Sequence, residues 1–397
     1  MKLADRVLNI SPSPTLAIDA EAKQMMANGL KVVSFGAGEP DFDTPGHIKE
    51  AAIAAIRAGK TKYTPVAGIQ VLKEAICRKF EVDQGLKYKL EQIVVSAGAK
   101  HSLYNTMQVL VQAGDEVILP APFWVSYLEQ IKLAGARARI VETREENGFK
   151  LTPAELAEAI NPRTRLLILN SPANPTGAVY TQEELEALGE LILKHDLMVI
   201  SDEIYEKIIY DGLRHVSIAS LSPELKERTV VINGVSKAYA MTGWRIGYAA
   251  ASYPVAKAIA DLQSHTTSNP TSIAQEASVA ALNGDQKQVE LMVAEFARRR
   301  EYMLKRLLDI PGVSCVRPGG AFYLFPNVKS YFGRAYKGRV INNASDLASI
   351  ILEEVQVAVV PGIAFGNDNY FRLSYACSVD KIKEGLDRIA GLMAQIK

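Results

Sequence analysis

The sequence predicts a protein of the α/β class with two domains, and three observations lead to that prediction. Short β-branched or apolar runs alternate with longer segments of 3.6-residue periodicity through most of the chain. These apolar runs are nearly continuous, which is typical of strands covered on both faces. At 397 residues, the chain is also too long for one small core.

Seven strands are predicted in the first part of the chain. Each is a short apolar run, and they lie at residues 92–96, 116–119, 138–142, 166–170, 198–201, 229–233 and 246–251. Helical periodicity lies between them, for example at 45–58, 181–195 and 254–264. Thr44 and Pro45 are typical of a helix start, with Thr as the N-cap and Pro at the first helical position. Thr181 with Glu184 gives a similar signal.

The C-terminal part has a different pattern. A charged amphipathic stretch runs from 285 to 309, and its three arginines at 298–300 are predicted to lie on a solvated face. Short strands near 321–325, 357–360 and 371–375 follow, with helices at 345–354 and 380–395. We therefore predict a smaller α+β domain that begins near residue 286.

Composition argues against several classes of function. Lys and Arg number 45 against 44 Asp and Glu, and without a dense basic patch we expect no nucleic-acid partner. The cysteines Cys77, Cys315 and Cys377 form no CxxC pair, and the histidines have no metal-ligand spacing, so neither disulfides nor a metal site is expected. No signal-like or membrane-spanning apolar run is visible, so no membrane contact and a cytoplasmic location are expected.

The segment from Val235 to Tyr248 is the most informative part of the sequence. It follows a predicted strand and is dense in small and aromatic residues, which indicates a packed loop around Lys237. Partial desolvation there would lower the pKa of the lysine and free its amine for nucleophilic attack. Ser236 and Arg245 suit a phosphate dianion. The alternatives are a surface lysine beside a turn and a Ser236–Lys237 hydrolase dyad.

Asp202 is predicted to lie at the carboxyl end of a buried strand, where ligands bind in open α/β sheets. A buried Asp needs a cationic or donor partner, and the pyridinium nitrogen of pyridoxal phosphate is one. Tyr205 is then able to reach the phenolic oxygen of the same ring. The alternative for Asp202 is a helix N-cap.

Two further loops follow predicted strands. In residues 170–177, two prolines and a glycine fix a loop from which Asn174 faces a cofactor or a carboxylate, although the same string also suits a simple turn. Residues 96–101 run from strand to helix and present backbone N–H groups to an anion.

Together these segments resemble the class I pyridoxal-phosphate-dependent aminotransferases of fold type I, most closely the bacterial-type aspartate aminotransferase subgroup. The matching motifs are SKAYAMTGWRIGY, SDEIYE, NSPANPTGAVY, AGEPDFDTP, GKTKYTPVAGI, PFWVSY and FRLSYA. The resemblance implies a large three-layer domain with a mostly parallel sheet at residues 45–285. It also implies a smaller α+β domain built from residues 1–44 and 286–397.

The resemblance implies a role for each matching residue, with pyridoxal 5'-phosphate as cofactor. Lys237 holds the cofactor covalently and acts in catalysis. The cofactor contacts implied are Asp202 at the ring nitrogen, Tyr205 and Asn174 at the ring oxygen, Trp124 on the ring face, and Gly98, Ala99, Ser236 and Arg245 at the phosphate, with Lys100 beside them. Arg372 and the Gly38 backbone are expected to bind the substrate α-carboxylate, near Trp124 and Asn174. Tyr63 resembles a tyrosine that reaches the partner subunit's phosphate, which implies a homodimer with shared active sites.

Substrate choice depends on a second cation for the distal carboxylate of a dicarboxylic amino acid. Residues 264–270 contain no arginine for this purpose, so Lys100 is the candidate, with Thr15 and Ser13 as helpers. We predict a ping-pong reaction of aspartate and 2-oxoglutarate to oxaloacetate and glutamate. Relatives that accept prephenate have a basic residue where this chain has Ser11.

Three alternatives stay open within and beyond this fold. One is an aminotransferase of prephenate, aromatic or alanine specificity, and another is a carbon–sulfur lyase with the same Lys237, Asp202 and Arg372. The third is a cofactor-binding regulator that has lost catalysis.

Overall fold

The computed structural model describes residues 3–397 of the chain. Its helices are α1 (Asp5–Leu8), α2 (Pro14–Ala27), α3 (Gly46–Arg57), α4 (Gln70–Gln84), α5 (Ala99–Leu110), α6 (Ser126–Leu133), α7 (Pro153–Ala159), α8 (Gln182–Lys194), α9 (Pro223–Arg228), α10 (Tyr253–Thr266), α11 (Ser272–Asn283), α12 (Lys287–Leu308), α13 (Ala344–Val355) and α14 (Val379–Met393). Its strands are β1 (Val33–Ser34), β2 (Ile93–Ser96), β3 (Glu116–Ala121), β4 (Arg137–Glu142), β5 (Thr164–Asn170), β6 (Met198–Asp202), β7 (Thr229–Gly234), β8 (Gly247–Ala250), β9 (Tyr323–Leu324), β10 (Ala335–Tyr336), β11 (Arg339–Val340), β12 (Val357–Ala358), β13 (Val360–Pro361) and β14 (Phe371–Ser374).

A seven-stranded sheet in the order β2-β8-β7-β6-β5-β3-β4 is the centre of the fold. All neighbours pair in parallel except at β8, which is antiparallel to both β2 and β7. All seven predicted strands are confirmed, with ends that differ by at most two residues. Because only β8 is reversed, the carboxyl ends of the other six strands lie along one edge of the sheet.

Helices cover both faces of this sheet. Ile93 and Val95 pack into an apolar cluster with residues of α3, α4 and α11. Val94 lies between them and packs into a different cluster with residues of α5, α6 and α10. Successive strand residues point to opposite faces, so the sheet is the middle of three layers. The mostly parallel α/β fold is therefore confirmed.

The C-terminal part carries a second, smaller sheet in the antiparallel order β13-β14-β9. Its core joins residues of α12, α13 and α14, including Met303, Ile350 and Ile389. The strand predicted at 321–325 shortens to the two residues of β9, and the one predicted at 357–360 divides into β12 and β13. β1 near the N-terminus pairs in parallel with β12. The assignment of residues 1–44 to the smaller domain stays a prediction, and its residues 1–2 lie outside the described part of the chain.

Both helix starts predicted from threonines lie within one residue of the observed starts, but only one of the two predicted caps is confirmed. The Thr181 hydroxyl accepts the Glu184 N–H at 3.3 Å and the Glu184 carboxylate accepts the Thr181 N–H at 2.8 Å, which is a capping box for α8. Thr44 does not cap α3. Its hydroxyl donates to the Ala240 carbonyl at 2.7 Å and accepts from the Trp244 indole at 3.1 Å. The prediction at Thr44 is wrong because its hydroxyl instead contacts the loop that carries Lys237.

The prediction of a solvated face for the three consecutive arginines is wrong for two of them. Arg299 is buried and pairs with Asp41 at 2.7 Å and with Glu295 at 2.8 Å. Arg300 is only 1% exposed and pairs with Asp211 at 2.7 Å. Each of these two arginines pairs with a carboxylate that lies outside α12. The helical periodicity of the sequence does not reveal such a partner. None of the helices within residues 3–397 is both long and apolar enough to cross a bilayer.

Candidate active site

A cavity of about 620 Å³ lies where the carboxyl ends of β2, β5, β6 and β7 meet the smaller domain. Its wall contains residues from the ends of these strands and from the small-domain segments. It brings together nearly all the predicted site residues, namely Ser13, Thr15, Gly38, Ala99, Lys100, Trp124, Asn174, Asp202, Tyr205, Ser236, Lys237, Arg245 and Arg372. Gly98 adjoins this set through Arg245, as described below.

Lys237 follows β7 in a tight loop and is partly buried. Its Nζ donates a hydrogen bond to the Gly38 carbonyl at 2.5 Å. Burial, together with the guanidinium groups of Arg372 and Arg245, lowers the pKa of Lys237 to about 8 against the opposing charges of Glu39 and Asp202. Near neutral pH, a useful fraction of this amine is therefore unprotonated and nucleophilic.

Asp202 ends β6 and is 3% exposed. Its Oδ2 accepts a hydrogen bond from the Tyr127 hydroxyl at 2.7 Å, and its Oδ1 accepts the Ile204 N–H at 3.2 Å. Burial raises the pKa of Asp202 to about 6, although both hydrogen bonds oppose this rise. Ile204 lies in a turn rather than in a helix, so the N-cap alternative is not what the structure shows. Within residues 3–397 the carboxylate forms no salt bridge, and it lines the cavity.

Tyr127 and Asn170 were not among the predicted site residues. Tyr127 is buried against Trp124, with ring centroids 5.3 Å apart, and its hydroxyl fixes the Asp202 carboxylate. The Asn170 amide donates to the Asp202 carbonyl at 2.9 Å, and its oxygen accepts the Asn174 N–H at 2.8 Å. Both residues stand inside the motifs already quoted, PFWVSY and NSPANPTGAVY. Proximity along the chain was the available signal, but the sequence does not show which way these side chains point.

Arg372 lies in β14, and its side chain is buried with neutral neighbours. One guanidinium nitrogen donates to the Gly36 carbonyl at 2.7 Å and another to the Asn174 side-chain oxygen at 3.3 Å. The guanidinium carbon stands 4.6 Å from the ring centre of Tyr323. Within residues 3–397, Nε has no hydrogen-bond partner. Burial lowers the pKa of Arg372. A buried cation of this kind is costly unless an anion joins it.

The loop between β2 and α5 forms an anion cradle. Gly98 has φ 89° and precedes the first turn of α5, whose N–H groups have no partner inside the helix. A methyl group built on Gly98 would lie 2.3 Å from the Arg245 guanidinium, so any larger residue there would force this guanidinium to move from its present position. Arg245 itself has φ 58° and donates to the Thr242 carbonyl at 2.8 Å. Ser236 lines the same cavity.

The aromatic residues of the cavity occupy separate positions. The Tyr205 hydroxyl contacts the Tyr323 hydroxyl at 2.8 Å, and the Lys237 amine lies 5.7 Å from the Tyr205 ring centre. Trp124 also lines the wall, beside Lys100, whose Nζ stands 4.9 Å from the indole ring. Burial and the nearby Arg245 lower the pKa of Lys100. Lys100 is thus a cation at the cavity wall, beside an aromatic ring.

The remaining predicted residues lie at the cavity mouth or away from it. The hydroxyls of Ser13 and Thr15 contact each other at 3.0 Å and line the wall from the N-terminal side. Ser11 lines a neighbouring cavity of about 680 Å³. Tyr63 does not join the site of its own chain, since it is 91% exposed on the loop before α4.

The charges of this cavity fit pyridoxal 5'-phosphate. The buried Asp202 carboxylate suits a protonated ring nitrogen, and the Lys237 amine suits an aldehyde carbon. The cradle at Gly98, with Ser236 and Arg245, suits a phosphate dianion. Arg372 is then free for the carboxylate of a second molecule.

Comparisons with known proteins agree with this arrangement. A model of the family described as aminotransferase class I and II matches residues 31–389. The chain is 53% identical over 393 residues to an aspartate aminotransferase of Geobacillus stearothermophilus, covering 99% of each chain. It is 47% identical over 397 residues to an aspartate/prephenate aminotransferase of Nitrosomonas europaea, covering 99% of this chain and 100% of the other. The crystal structure of the aspartate aminotransferase from Rhizobium meliloti superposes with a TM-score of 0.97 at 45% identity, covering 100% of both chains.

Proposed function

The chain belongs to the class I and II aminotransferases, and from that premise we propose that it transfers the amino group of aspartate to 2-oxoglutarate with pyridoxal 5'-phosphate. The products are oxaloacetate and glutamate, formed in two half-reactions of a ping-pong cycle. One observation carries the proposal: a nucleophilic lysine, a buried carboxylate and a buried guanidinium with neutral neighbours line one cavity. The names of the full-length relatives support aspartate as donor.

When bound, pyridoxal phosphate supplies a carbonyl carbon that bonds to amines and a ring that accepts electrons from the substrate α-carbon. Lys237 would hold the cofactor covalently through Nζ, and its amine, once freed by the substrate, would be the base for the α-proton and the acid that delivers a proton to the former carbonyl carbon of the cofactor. Asp202 keeps the ring nitrogen protonated, and Tyr127 fixes the carboxylate for that purpose.

Substrate orientation is assigned to the small-domain side of the cavity. Arg372 binds the α-carboxylate in place of its present neutral partners Gly36 and Asn174. Gly38 adds its backbone beside them, while Tyr205 and Asn174 contact the ring oxygen. Trp124 covers the ring face and excludes water from the reacting atoms.

The distal carboxylate of aspartate is assigned to Lys100. This lysine lines the cavity with its Nζ 4.9 Å from the Trp124 indole ring, where burial and Arg245 lower its pKa and an anion would favour its charged form. Thr15, hydrogen-bonded to Ser13, is placed on the same side. A prephenate or aromatic specificity is the second candidate, because several relatives are named aspartate/prephenate aminotransferase, while Ser11 supplies no cation toward it.

A comparison of amino donors tests the specificity. Purified protein loaded with pyridoxal phosphate is given aspartate, alanine or phenylalanine with 2-oxoglutarate, and prephenate is tested as the amino acceptor. We expect aspartate to give the highest kcat/KM. A clear preference for a neutral donor contradicts the assignment, and pyruvate with ammonia in the absence of a keto acid identifies a carbon–sulfur lyase.

Lys237→Ala tests the chemistry. The variant is expected to keep bound cofactor through the Asp202 and phosphate contacts and to lose transamination by about 10⁴-fold or more, because the proton-transfer group and the covalent anchor are both gone. Cofactor content is read by absorbance and turnover by a coupled assay. Lys257→Ala, which removes a surface lysine paired with Asp261, is the matched control and is expected to retain full activity. Near-normal turnover in Lys237→Ala contradicts the mechanism.

We also propose that the protein is a homodimer in which Tyr63 reaches the phosphate held by the partner subunit. Two observations support this proposal. Tyr63 is 91% exposed and lies outside the cavity of its own chain. Its loop nevertheless belongs to the motifs shared with the family.

A further inference from the structure

A second carboxylate, Glu203, is buried directly behind Asp202. Its Oε1 accepts hydrogen bonds from the hydroxyls of Ser201 at 2.8 Å and Ser217 at 2.6 Å. Its Oε2 contacts the Gln84 amide nitrogen and the His215 Nε2, each at 2.9 Å. Four partners from three separate parts of the chain therefore hold this one carboxylate, and none of the residues assigned to the reaction is among them.

Glu203 points away from the cavity. Ser201 and Glu203 stand two residues apart at the end of β6 and share one side, as their mutual hydrogen bond shows. Asp202 lies between them and faces the other side, where it lines the cavity. The Glu203 N–H also donates to the Ile232 carbonyl at 2.9 Å. Glu203 therefore cannot touch a ligand, and any effect on the reaction passes through Asp202.

The Glu203 carboxyl is kept ionised by its partners. Burial alone would raise its pKa, but His215 and the two serine hydroxyls outweigh burial, so the pKa of Glu203 is lowered. The charge of Glu203 in turn adds to the burial that raises the pKa of Asp202. The Glu203 charge, which His215 partly offsets, therefore favours a cation on the cavity side of Asp202.

The other charged groups near Glu203 are already paired with each other. Lys79 forms an ion pair with Glu206 and stands 3.7 Å from Asp83, which also pairs with Lys207 at 2.7 Å. Glu203, Glu206 and His215 lie close enough to ligate a metal, but Lys79 and the Gln84 amide are already bonded to the two glutamates. Within the described chain, His215 is therefore the one ionisable side chain that bonds to Glu203. The charge of Glu203 acts on Asp202.

We propose that Glu203 is a positioning residue that, through Asp202, keeps the ring nitrogen of bound pyridoxal phosphate protonated. The inference rests on the proposed function. Glu203 supplies fixed negative charge behind the Asp202 carboxylate, so the proton shared by Asp202 and the ring stays with the pair over a wider pH range.

Glu203→Gln keeps the shape of the side chain and removes its charge. In the cofactor-loaded protein, nitrogen NMR of isotope-labelled pyridoxal phosphate reports protonation of the ring nitrogen as a function of pH. Loss of a buried negative charge is expected to lower the midpoint of this titration by about 1 pH unit and kcat by about 10-fold, with little change in KM for aspartate. An unchanged midpoint in a folded, loaded Glu203→Gln protein overturns the proposal.

Two controls separate charge from shape. Glu203→Asp retains the charge and is expected to restore most of the titration midpoint, whereas a purely structural role predicts that the shorter side chain is worse than glutamine. Glu227→Gln removes an exposed carboxylate, and solvent screening is expected to leave the midpoint in place. A shift of equal size in Glu227→Gln would mean that net charge alone is responsible and would overturn the role of Glu203.

A second variant covers the case in which Glu203→Gln does not fold. Ser201→Ala with Ser217→Ala removes both hydroxyl donors to Oε1, makes the Glu203 anion less stable, and is expected to shift the midpoint in the same direction by less. No shift in this double variant overturns the proposal. Wild-type protein that takes up no pyridoxal phosphate would contradict the proposed function itself, which distinguishes the two failures.

Discussion

Asp202 shows at the scale of one residue how function costs stability. Its carboxyl is buried beside neutral partners, and burial raises its pKa from 3.8 to about 6. The cofactor-free folded protein therefore binds more protons than the unfolded chain between these two values, so this residue destabilises the fold as pH rises through that range. Below pH 4 both states are protonated and the effect is absent.

Asp202→Asn is accordingly expected to stabilise the cofactor-free protein near pH 8 by about 2 kcal/mol, because the amide carries no charge to bury. The gain is expected to be much smaller at pH 4.5. Urea unfolding of the wild-type and variant apoproteins at the two pH values measures the difference. A variant that is less stable at both pH values would show that the Tyr127 and Ile204 hydrogen bonds outweigh desolvation. The same variant is expected to lose turnover when loaded.

At the scale of elements, β8 and the anion-binding loop approach each other more closely than any side chain allows. A methyl group on Gly247 would lie 2.1 Å from the Ala99 nitrogen and 2.4 Å from the Gly98 carbonyl carbon. These are backbone atoms, so they cannot move aside without shifting the start of α5. The phosphate cradle thus depends on the first residue of an antiparallel strand inserted into an otherwise parallel sheet.

Gly247→Ala is therefore expected to weaken binding of pyridoxal phosphate at least about 10-fold and to destabilise the fold by about 2 kcal/mol or more through overpacking. Titration of the apoprotein with cofactor, followed by fluorescence, gives the affinity, and thermal unfolding gives the stability. Gly243→Ala is the matched control, since a methyl group there meets no atom within 4 Å. Equal behaviour of the two variants would argue against a dependence of the cradle on this close approach.

The elements also show which parts of the molecule the sequence predicts. Buried parallel strands are continuous apolar runs, so β2 to β8 were found with small errors at their ends. The long-range polar contacts were not found. Arg299 and Arg300 looked solvated because a run of charge resembles an exposed face, but their carboxylate partners Asp41 and Asp211 lie far away in sequence. Thr44 looked like a cap because its competing partners are some 200 residues distant.

The candidate site shows the same contrast between local patterns, which the sequence predicts, and long-range contacts, which it does not. The residues that resemblance assigns through motifs, such as Lys237 and Arg372, come together in one cavity, and their roles stay proposals. Tyr127 was not predicted as a site residue because its role depends on a hydrogen bond to Asp202, 75 residues away. Neither propensity nor spacing contains that information.

At the scale of the whole molecule, the proposed dimer makes a sharp prediction about mixed subunits. Lys237→Ala and Tyr63→Ala homodimers are each expected to be impaired. A hybrid of one chain of each kind places both changes in one active site and leaves the other site intact if Tyr63 acts on the partner subunit. The hybrid is then expected to show about half of the wild-type activity, because only one of its two sites is complete.

Differently tagged chains are co-expressed, and hybrids are isolated by two affinity steps and assayed. Sedimentation of the wild-type protein checks the dimer itself. If Tyr63 instead acts in its own chain, each site of the hybrid carries one change and the hybrid is as poor as the homodimers. A monomeric wild-type protein would rule out the shared site altogether.

The hydrogen bonds of Lys237 and Arg372 to the carbonyls of Gly38 and Gly36 have one more consequence. Both cations donate to one short stretch of backbone, so an arriving ligand competes with these existing hydrogen bonds, while Arg372 Nε adds one donor without a partner within residues 3–397. Loading is thus an exchange, and measured affinities are smaller than the new contacts alone would give. Once the Lys237 amine and the Arg372 guanidinium bind the cofactor and the substrate, residues 36–38 lose two hydrogen bonds. Amide hydrogen exchange in this stretch is then expected to quicken on cofactor binding, even as the rest of the cavity becomes more protected.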